Sequence, residues 1–345
     1  MARLNNVFLY GFIENKPRIT IDEKTGEPLS GIVYLHVVRG YRDDHSGKQF
    51  MKHDFPLIIS QEKKILREMT SWKQFDIVSI KGVISTMFID KPSYCPECKD
   101  ERGNAVENIS RGILMYVTPV FAQKEAECAD GKEALSKIVS AREISNVIIC
   151  YGNLIKDPTY FKTTAGTVVT QYQIALDRKY RIRMDAQDIR TDWPWVKSYG
   201  EQAIEDKLRL RKGSEVFIDG VIQARTIHRK TKCSCCGKIY PWDDHTLELV
   251  PYDVEYIGRY MTDDLLQQEK GKEAEDIRQA LFGFLEKDEL SEEEMMKEIN
   301  YSPQEGILPD AGDINFDIVQ KVISMDNSDE EEDEVDNNSV NNNET

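Results

Sequence analysis

The sequence predicts an all-β protein with small helical additions, built from two tandem five-stranded units and a partly helical, acidic tail. Three observations predict it. Short runs rich in β-branched and aromatic residues recur between Gly, Asp and Lys turns. Two distant stretches repeat one another in order and spacing. The net charge of −16 is unevenly held: from Tyr260 onward 26 acidic residues face 6 basic ones, so residues 1–259 carry 39 basic and 35 acidic residues.

The first copy takes residues 1–125. Its runs "NVFLYGFI", "SGIVYLHVV", "FPLII", "FDIVSIKGVIS" and "GILMYVTPVF" read as strands, with helical "SQEKKILREMTSW" between the third and fourth. Residues 126–141 read as a short helical connector. The second copy takes residues 142–259 and repeats the pattern as "NVIICYGNLI", "VVTQYQIAL", "WPWVKSY", helical "GEQAIEDKLRL", "SEVFIDGVIQ" and "LELVPYDVEYI". "NNVFLYGFIENKP" at Asn5 is answered by "SNVIICYGNLIKDP" at Ser145. Gly82 and Gly220 each stand thirteen residues before the first cysteine of a Cys-x-x-Cys pair. Five strands with a helix between the third and fourth describe an oligonucleotide-binding barrel, the OB-fold, whose exposed face and loops suit single strands. Unrelated small barrels or sandwiches fit the same pattern.

Residues 260–325 have helical spacing and an acidic face, and "GDINFDIVQKVISM" around Phe316 is a candidate partner-binding element. Residues 326–345 lack the apolar content to offset chain entropy and are expected to be disordered. A mildly basic body with an acidic tail suggests that the tail competes for the basic face or recruits basic partners.

No stretch approaches the ~20 apolar residues that span a bilayer, and the first residues lack a secretory signal. A soluble, intracellular protein is expected, cytoplasmic or viral and acting in a host cytoplasm. In a reducing compartment seven cysteines are more naturally free, buried or metal-bound than paired as disulfides. The chain has no P-loop, nucleophile elbow or His-Glu-x-x-His, and its five histidines are scattered. No enzyme is expected.

Cations interleave with rings at two places. "VVRGYRDD" sets Tyr41 between Arg39 and Arg42, and "LDRKYRIRM" sets Tyr180 among Arg178, Lys179, Arg181 and Arg183. A ring on a barrel surface gains about 1–3 kcal/mol per stacked base, and cations beside it follow the phosphates. Cross-strand packing is the plainer use of such rings.

In order and spacing these segments resemble the bacterial and phage single-stranded DNA-binding protein family, most clearly in the second copy. "NVIICYGNLIKDP" resembles the family's opening strand, and "TDWPWVKSYGEQAIEDKLRLRKGSEVFIDGVIQ" its third strand, helix and turn into strand four. In the more diverged first copy, "RGYRDDHSGKQFMKHDFPLII" keeps the hairpin between strands two and three. The resemblance implies stacking rings at Tyr41 and Tyr180, at Phe55 and Trp193, and at Tyr199, where the first copy has Gln61. It implies protection of single-stranded DNA during replication, recombination or repair, recruitment of proteins by the acidic C-terminal region, and a dimer that mimics a four-barrel assembly. The chain ends without the family's acidic-aromatic tip. A zinc-stapled scaffold that binds proteins, or a single-stranded RNA-binding factor, fits the same residues.

Cys95 and Cys98 of "YCPECK" and Cys233 and Cys236 of "KCSCCGK" fall in the long hairpin after strand four of each copy. Zinc prefers four thiolate or imidazole ligands in a tetrahedron, and each pair supplies two. The two pairs could close one site between the copies or be completed by another subunit, or the second pair could bind alone with His228 and His245. The first arrangement explains why both copies carry a pair. Cys150 is expected to be a buried strand residue and Cys128 a linker thiol. A redox centre would need a helix start in a βαβ setting, which is absent here.

Overall fold

The computed structural model describes residues 4–43, 49–162, 167–178, 191–269 and 271. They form fourteen strands and five helices, mostly β as expected. The first copy contains β1 (Leu4–Ile13), β2 (Arg18–Ile21), β3 (Pro28–Asp43), β4 (Gln49–Asp54), β5 (Leu57–Ser60), α1 (Lys63–Ser71), β6 (Ile77–Lys99) and β7 (Ala105–Ala126). β1 pairs with both β3 and β6, β3 with β5, β5 in parallel with β7, and β7 with β6. Five strands thus form a circuit of hydrogen bonds that returns to its start.

The connector holds α2 (Gly131–Ser140) and α3 (Arg142–Ser145). Asp130 starts α2, its Oδ1 accepting the Lys132 and Glu133 N–H groups, which satisfies donors otherwise left open at a helix start. Ala134 and Ile138 pack with Phe12, Val38 and Ile77 of the first copy.

The second copy contains β8 (Asn146–Leu154), β9 (Thr159–Lys162), β10 (Val168–Asp177), β11 (Thr191–Asp192), β12 (Trp195–Tyr199), α4 (Gly200–Arg209), β13 (Glu215–Lys232) and β14 (Ile239–Gly258), followed by α5 (Asp263–Glu269). Its circuit is the same: β8 pairs with β10 and β13, β10 with β12, β12 in parallel with β14, and β14 with β13. α1 and α4 occupy the same place in the two chain orders, between the third and fourth strands of the circuit. After α4, Met261 and Leu266 pack on Val168, Ala203, Ile204 and Leu208, so the start of the acidic region docks on the second copy.

The described residues divide into two compact units that cut across the sequence copies. The first takes those within 1–87, 115–226 and 246–305, and the second takes 88–114 and 227–245, the parts of the β6–β7 and β13–β14 hairpins nearest their turns. Within the first unit β1 and β8 pair antiparallel from Leu4↔Tyr151 to Leu9↔Asn146, with Val7 opposite Ile148. Aligning Gly11 with Gly152 makes Val7 and Ile148 equivalent residues. Equivalent strands with equivalent residues opposed are what a two-fold axis produces, so the copies associate as an isologous dimer does, within one chain.

Buried asparagines mark the same symmetry. Asn5 donates from Nδ2 to the Ile84 carbonyl at 2.9 Å and accepts the Ile84 N–H at 2.8 Å; Asn146 treats Ile222 identically, at 2.8 and 3.0 Å. The repeated glycines have a packing reason too. A Cβ on Gly82 would lie 2.6 Å from the Thr118 carbonyl oxygen, and one on Gly220 2.3 Å from that of Val250, so only glycine lets the neighbouring strand approach.

Candidate nucleic-acid interface and metal centre

In the second copy two of the three expected rings, Trp193 and Tyr199, lie on β12 and its approach. Trp193, between β11 and β12, is 38 % exposed. Its carbonyl accepts from Gln173 Nε2 at 2.7 Å and its N–H donates to Thr86 Oγ1 at 3.0 Å. Along β12 alternate residues point opposite ways, so Val196 and Ser198 point inward while Trp195 and Tyr199 lie half-buried on the other face, with buried Lys197 between them. Lys156 Nζ lies 4.3 Å from the centre of the Trp195 ring, within cation–π range. The Tyr199 hydroxyl donates to Glu248 Oε1 at 3.2 Å and accepts from Arg225 Nη1 at 3.3 Å. Burial and the Glu248 carboxylate push that phenol well above its usual range. Lys197 Nζ neutralises buried Glu248 at 2.6 Å. Val169 on β10 pairs with Tyr199 on one side and with Phe161 of β9 on the other, and directly paired residues share a sheet face. Phe161 is exposed, so the face carries exposed Phe161 with half-buried Tyr199 and Trp195.

Two expected phosphate contacts need correction. Arg178 is buried and grips Asp192 with two nitrogens, Nε at 2.5 Å and Nη2 at 2.7 Å. Arg39 is buried in an ion pair with Asp54 at 2.7 Å and donates to Gln223 Oε1 at 3.0 Å. A guanidinium committed to a buried carboxylate is not available to a nucleic-acid backbone. Both carboxylates also reach across the copies: Asp54 Oδ1 accepts the Ala224 N–H at 3.0 Å, and Asp192 Oδ1 the Thr86 N–H at 2.7 Å.

Phe55 departs from the exposed place expected of it: it is buried, with its ring centre 4.6 Å from that of His36. The His36 ring centre also lies 4.4 Å from that of Phe12, in a tilted contact, and its two nitrogens meet Glu14 Oε2 at 2.9 Å and His53 Nδ1 at 2.8 Å. Gln61 is half-buried just before α1. Tyr41 and Arg42 lie on β3, with side chains outside what the structure describes. Lys179, Tyr180, Arg181 and Arg183 lie outside the described residues, as do Phe316 and the tail beyond residue 271.

The second unit brings the two cysteine pairs together. Sulfurs of Cys95, Cys98, Cys233 and Cys236 all lie within 4.8 Å of one another, with Cys95 4.0 Å from Cys236 and Cys98 3.9 Å from Cys233. Four thiols at this spacing suit one tetrahedral ion, whose bonds of ~2.3 Å would set sulfurs ~3.8 Å apart. Of the three arrangements open in the sequence, this is the one with the site closed between the copies. The second knuckle turns through Gly237 at φ +72°, with the Cys233 N–H on the Lys238 carbonyl and the Gly237 N–H on that of Cys233. The Cys236 backbone N–H directed at Cys233 lowers that thiol to about 6, whereas the neighbouring Cys236 thiol pushes Cys98 up. Asn108 braces the cluster: its Oδ1 accepts the Ser234 N–H at 2.8 Å, and its Nδ2 points to Cys233 Sγ at 3.9 Å and the Tyr240 hydroxyl at 3.1 Å. Buried Asp244 joins the hairpins a second time, accepting from Lys91 and Arg229 at 2.5 Å each. His228 instead meets Asp243 at 2.6 Å in an exposed pair. Cys150 is buried, which pushes its thiol up to about 12, and Cys128 is half-buried beside Lys137 Nζ.

Residues 144–234 match the Single-strand binding protein family. The resemblance expected for the second copy is borne out over that range. Among curated relatives, single-stranded DNA-binding protein 2 of Chlorobaculum tepidum is 36% identical over 85 residues, covering 24% of this chain and 57% of its own. The single-stranded DNA-binding protein of Thermotoga maritima is 34% identical over 80 residues, covering 23% of this chain and 57% of its own. The chain thus spans a little over half the length of these two relatives. The crystal structure of the wild-type single-stranded DNA binding protein from Thermus aquaticus is 18% identical, covers 75% of this chain and 95% of its own, and superposes with a TM-score of 0.45.

The range shared with the single-strand binding family contains Trp193, Trp195 and Tyr199. Sequence reasoning missed Trp195 with Lys156, and it missed Asp54 and Asp192 as the partners of the two arginines. A signal was present: an acid directly precedes the expected ring in both copies, "HDF" and "TDW". No helix among the described residues is long and apolar enough to cross a membrane.

Proposed function

We propose that the chain binds and protects single-stranded DNA, without strong sequence preference, on two tandem OB-fold barrels of which the second bears the principal site. The observation that carries this is exposed Trp193 with half-buried Trp195 and Tyr199 close by in the chain, all inside the family-matched range. Every base has a flat π-face, so such rings accept any sequence, at about 1–3 kcal/mol per stacked ring. Lys156 lies beside Trp195 for the phosphates. The names of the curated relatives support the choice of ligand. The protein acts by binding and not by catalysis.

The four cysteines hold one structural zinc ion, which staples the two hairpins of the second unit. That zinc would supply folding free energy to this small β module and no chemistry on DNA. The acidic C-terminal region recruits replication or recombination proteins, and a dimer of the chain, acting in the cytoplasm, presents four barrels.

Titration with labelled oligothymidine, oligouridine and duplex DNA tests the reading. Tight, salt-sensitive binding of oligothymidine, weakened by Trp193→Ala, is expected. Equal preference for oligouridine would make RNA the ligand, and no binding to any of the three would leave the scaffold role.

A further inference from the structure

We infer that the first copy positions the base-stacking ring of the second, with Thr86 on β6 holding Trp193 at the angle from which it meets a base. The inference rests on the proposed single-strand binding and adds a residue that no family motif on this chain contains.

Trp193 sits on a short bridge. β11 before it has two residues, and Pro194 after it has no N–H to give. The bridge is held instead by side chains. Thr86 makes three hydrogen bonds to it: its N–H donates to Asp192 Oδ1 at 2.7 Å, its hydroxyl donates to the same oxygen at 3.2 Å, and that hydroxyl accepts the Trp193 N–H at 3.0 Å. Arg178 fixes Asp192 from the other side and Gln173 fixes the Trp193 carbonyl. Thr86, Asp192, Arg178 and Gln173 are all buried, so these bonds are shielded from water while the indole stays exposed. Thr86 belongs to the first copy and the other four residues to the second.

The pseudo-symmetric position shows what the hydroxyl adds. Counted from the repeated glycines, the counterpart of Thr86 is Ala224, each four residues on. Ala224 keeps the backbone bond, to Asp54, but has no hydroxyl to offer Phe55. Phe55 is buried and Trp193 is exposed. The hydroxyl therefore occurs on the side where a ring is presented to solvent.

The test uses the full chain and a labelled oligothymidine. Thr86→Val, which removes the hydroxyl at nearly constant shape, is expected to weaken binding about fivefold, as the loss of one or two hydrogen bonds implies. Thr86→Ser, which restores the hydroxyl, should stay within about twofold of the parent. In a Trp193→Ala background Thr86→Val should have no further effect, since it acts through the indole. Thr86→Ala serves in the same scheme if the valine variant does not fold. An equal loss in both backgrounds would overturn the inference, because it would reflect general destabilisation. So would an undiminished affinity of Thr86→Val when Trp193→Ala weakens binding, in which case the base-stacking reading stands alone. A Trp193→Ala protein that binds like the parent would sink both.

Discussion

The two copies share a circuit of strands, a buried asparagine, a close-packed glycine and a buried Arg–Asp pair, yet they treat the ring after that pair in opposite ways. Phe55 turns in against His36, which also meets Phe12 and His53, whereas Trp193 is exposed. Six residues after Trp193 in "DWPWVKSY" comes Tyr199, anchored through Glu248, whereas the first copy has Gln61 at the matching position, six after Phe55. The scaffold tolerates either use because the elements that set the circuit are separate from the residues on its outer face. One copy has kept a presented surface, and the other has spent the same position on its own packing.

The largest expected effect concerns what the copies share equally. Each gives two cysteines, so Cys95→Ser alone and Cys233→Ser alone should each take zinc, measured by elemental analysis of the purified chain, from one per chain to none. Chelation of the parent should unfold the second unit, seen as loss of amide-exchange protection at Ser93, Asn108 and Tyr240. A variant of one pair that still holds zinc would mean that the copies do not contribute equally.

Rings come next. Trp193→Ala should weaken oligothymidine binding by about 10- to 100-fold, the value of one stacked base, with little change in melting temperature. Phe55→Ala should do the reverse, costing about 3 kcal/mol of stability with affinity within about twofold. Comparable losses of affinity for both would erase the distinction between the copies.

A smaller difference separates the helices. The buried residues of α1 are Ile65, Leu66 and Met69, whereas α4 also buries Asp206, which accepts from Tyr256 at 2.7 Å and Gln202 at 2.9 Å. Burial raises this carboxyl to about 6. The folded protein therefore keeps a proton that the unfolded chain releases near pH 4, and stability falls as pH rises from about 4 to about 6, then levels. The total is about 3 kcal/mol. Asp206→Asn should remove that fall and raise the denaturation midpoint at pH 7 while leaving it nearly unchanged near pH 3.5. A parent whose stability rises over the same interval by this group's share would contradict the burial argument.

The smallest effect lies at the C-terminus. Deleting residues 326–345 removes 9 acidic residues and no basic ones, so affinity for oligothymidine at low salt should rise a few-fold and return to the parent value at high salt. Unchanged affinity at low salt would show that the tail does not compete for the site.

Much of this was legible in the residues. The strand runs, the helix between the third and fourth strands, the connector helix and the thirteen-residue interval from glycine to cysteine all follow from local periodicity and internal repetition. The cysteine pairs were legible as candidate ligands because Cys-x-x-Cys needs only a local turn, but their meeting was one of three open arrangements. The cations were misread at Arg39 and Arg178, since an arginine in or beside a strand looks the same in sequence whether it faces solvent or a buried carboxylate fourteen or fifteen positions away. Trp195 was passed over because its partner, Lys156, comes from another strand's end.

By itself the sequence determined the elements and their doubling, because hydrophobic alternation, turn residues and a repeated glycine act over a few neighbouring positions. Only the tertiary structure decided that Asp54 and Asp192 each close on a strand of the opposite copy, that four sulfurs converge, and that one ring faces water while its counterpart does not. Those outcomes depend on which distant groups satisfy a buried charge or N–H, and that pairing is set by the closing of the strands on one another.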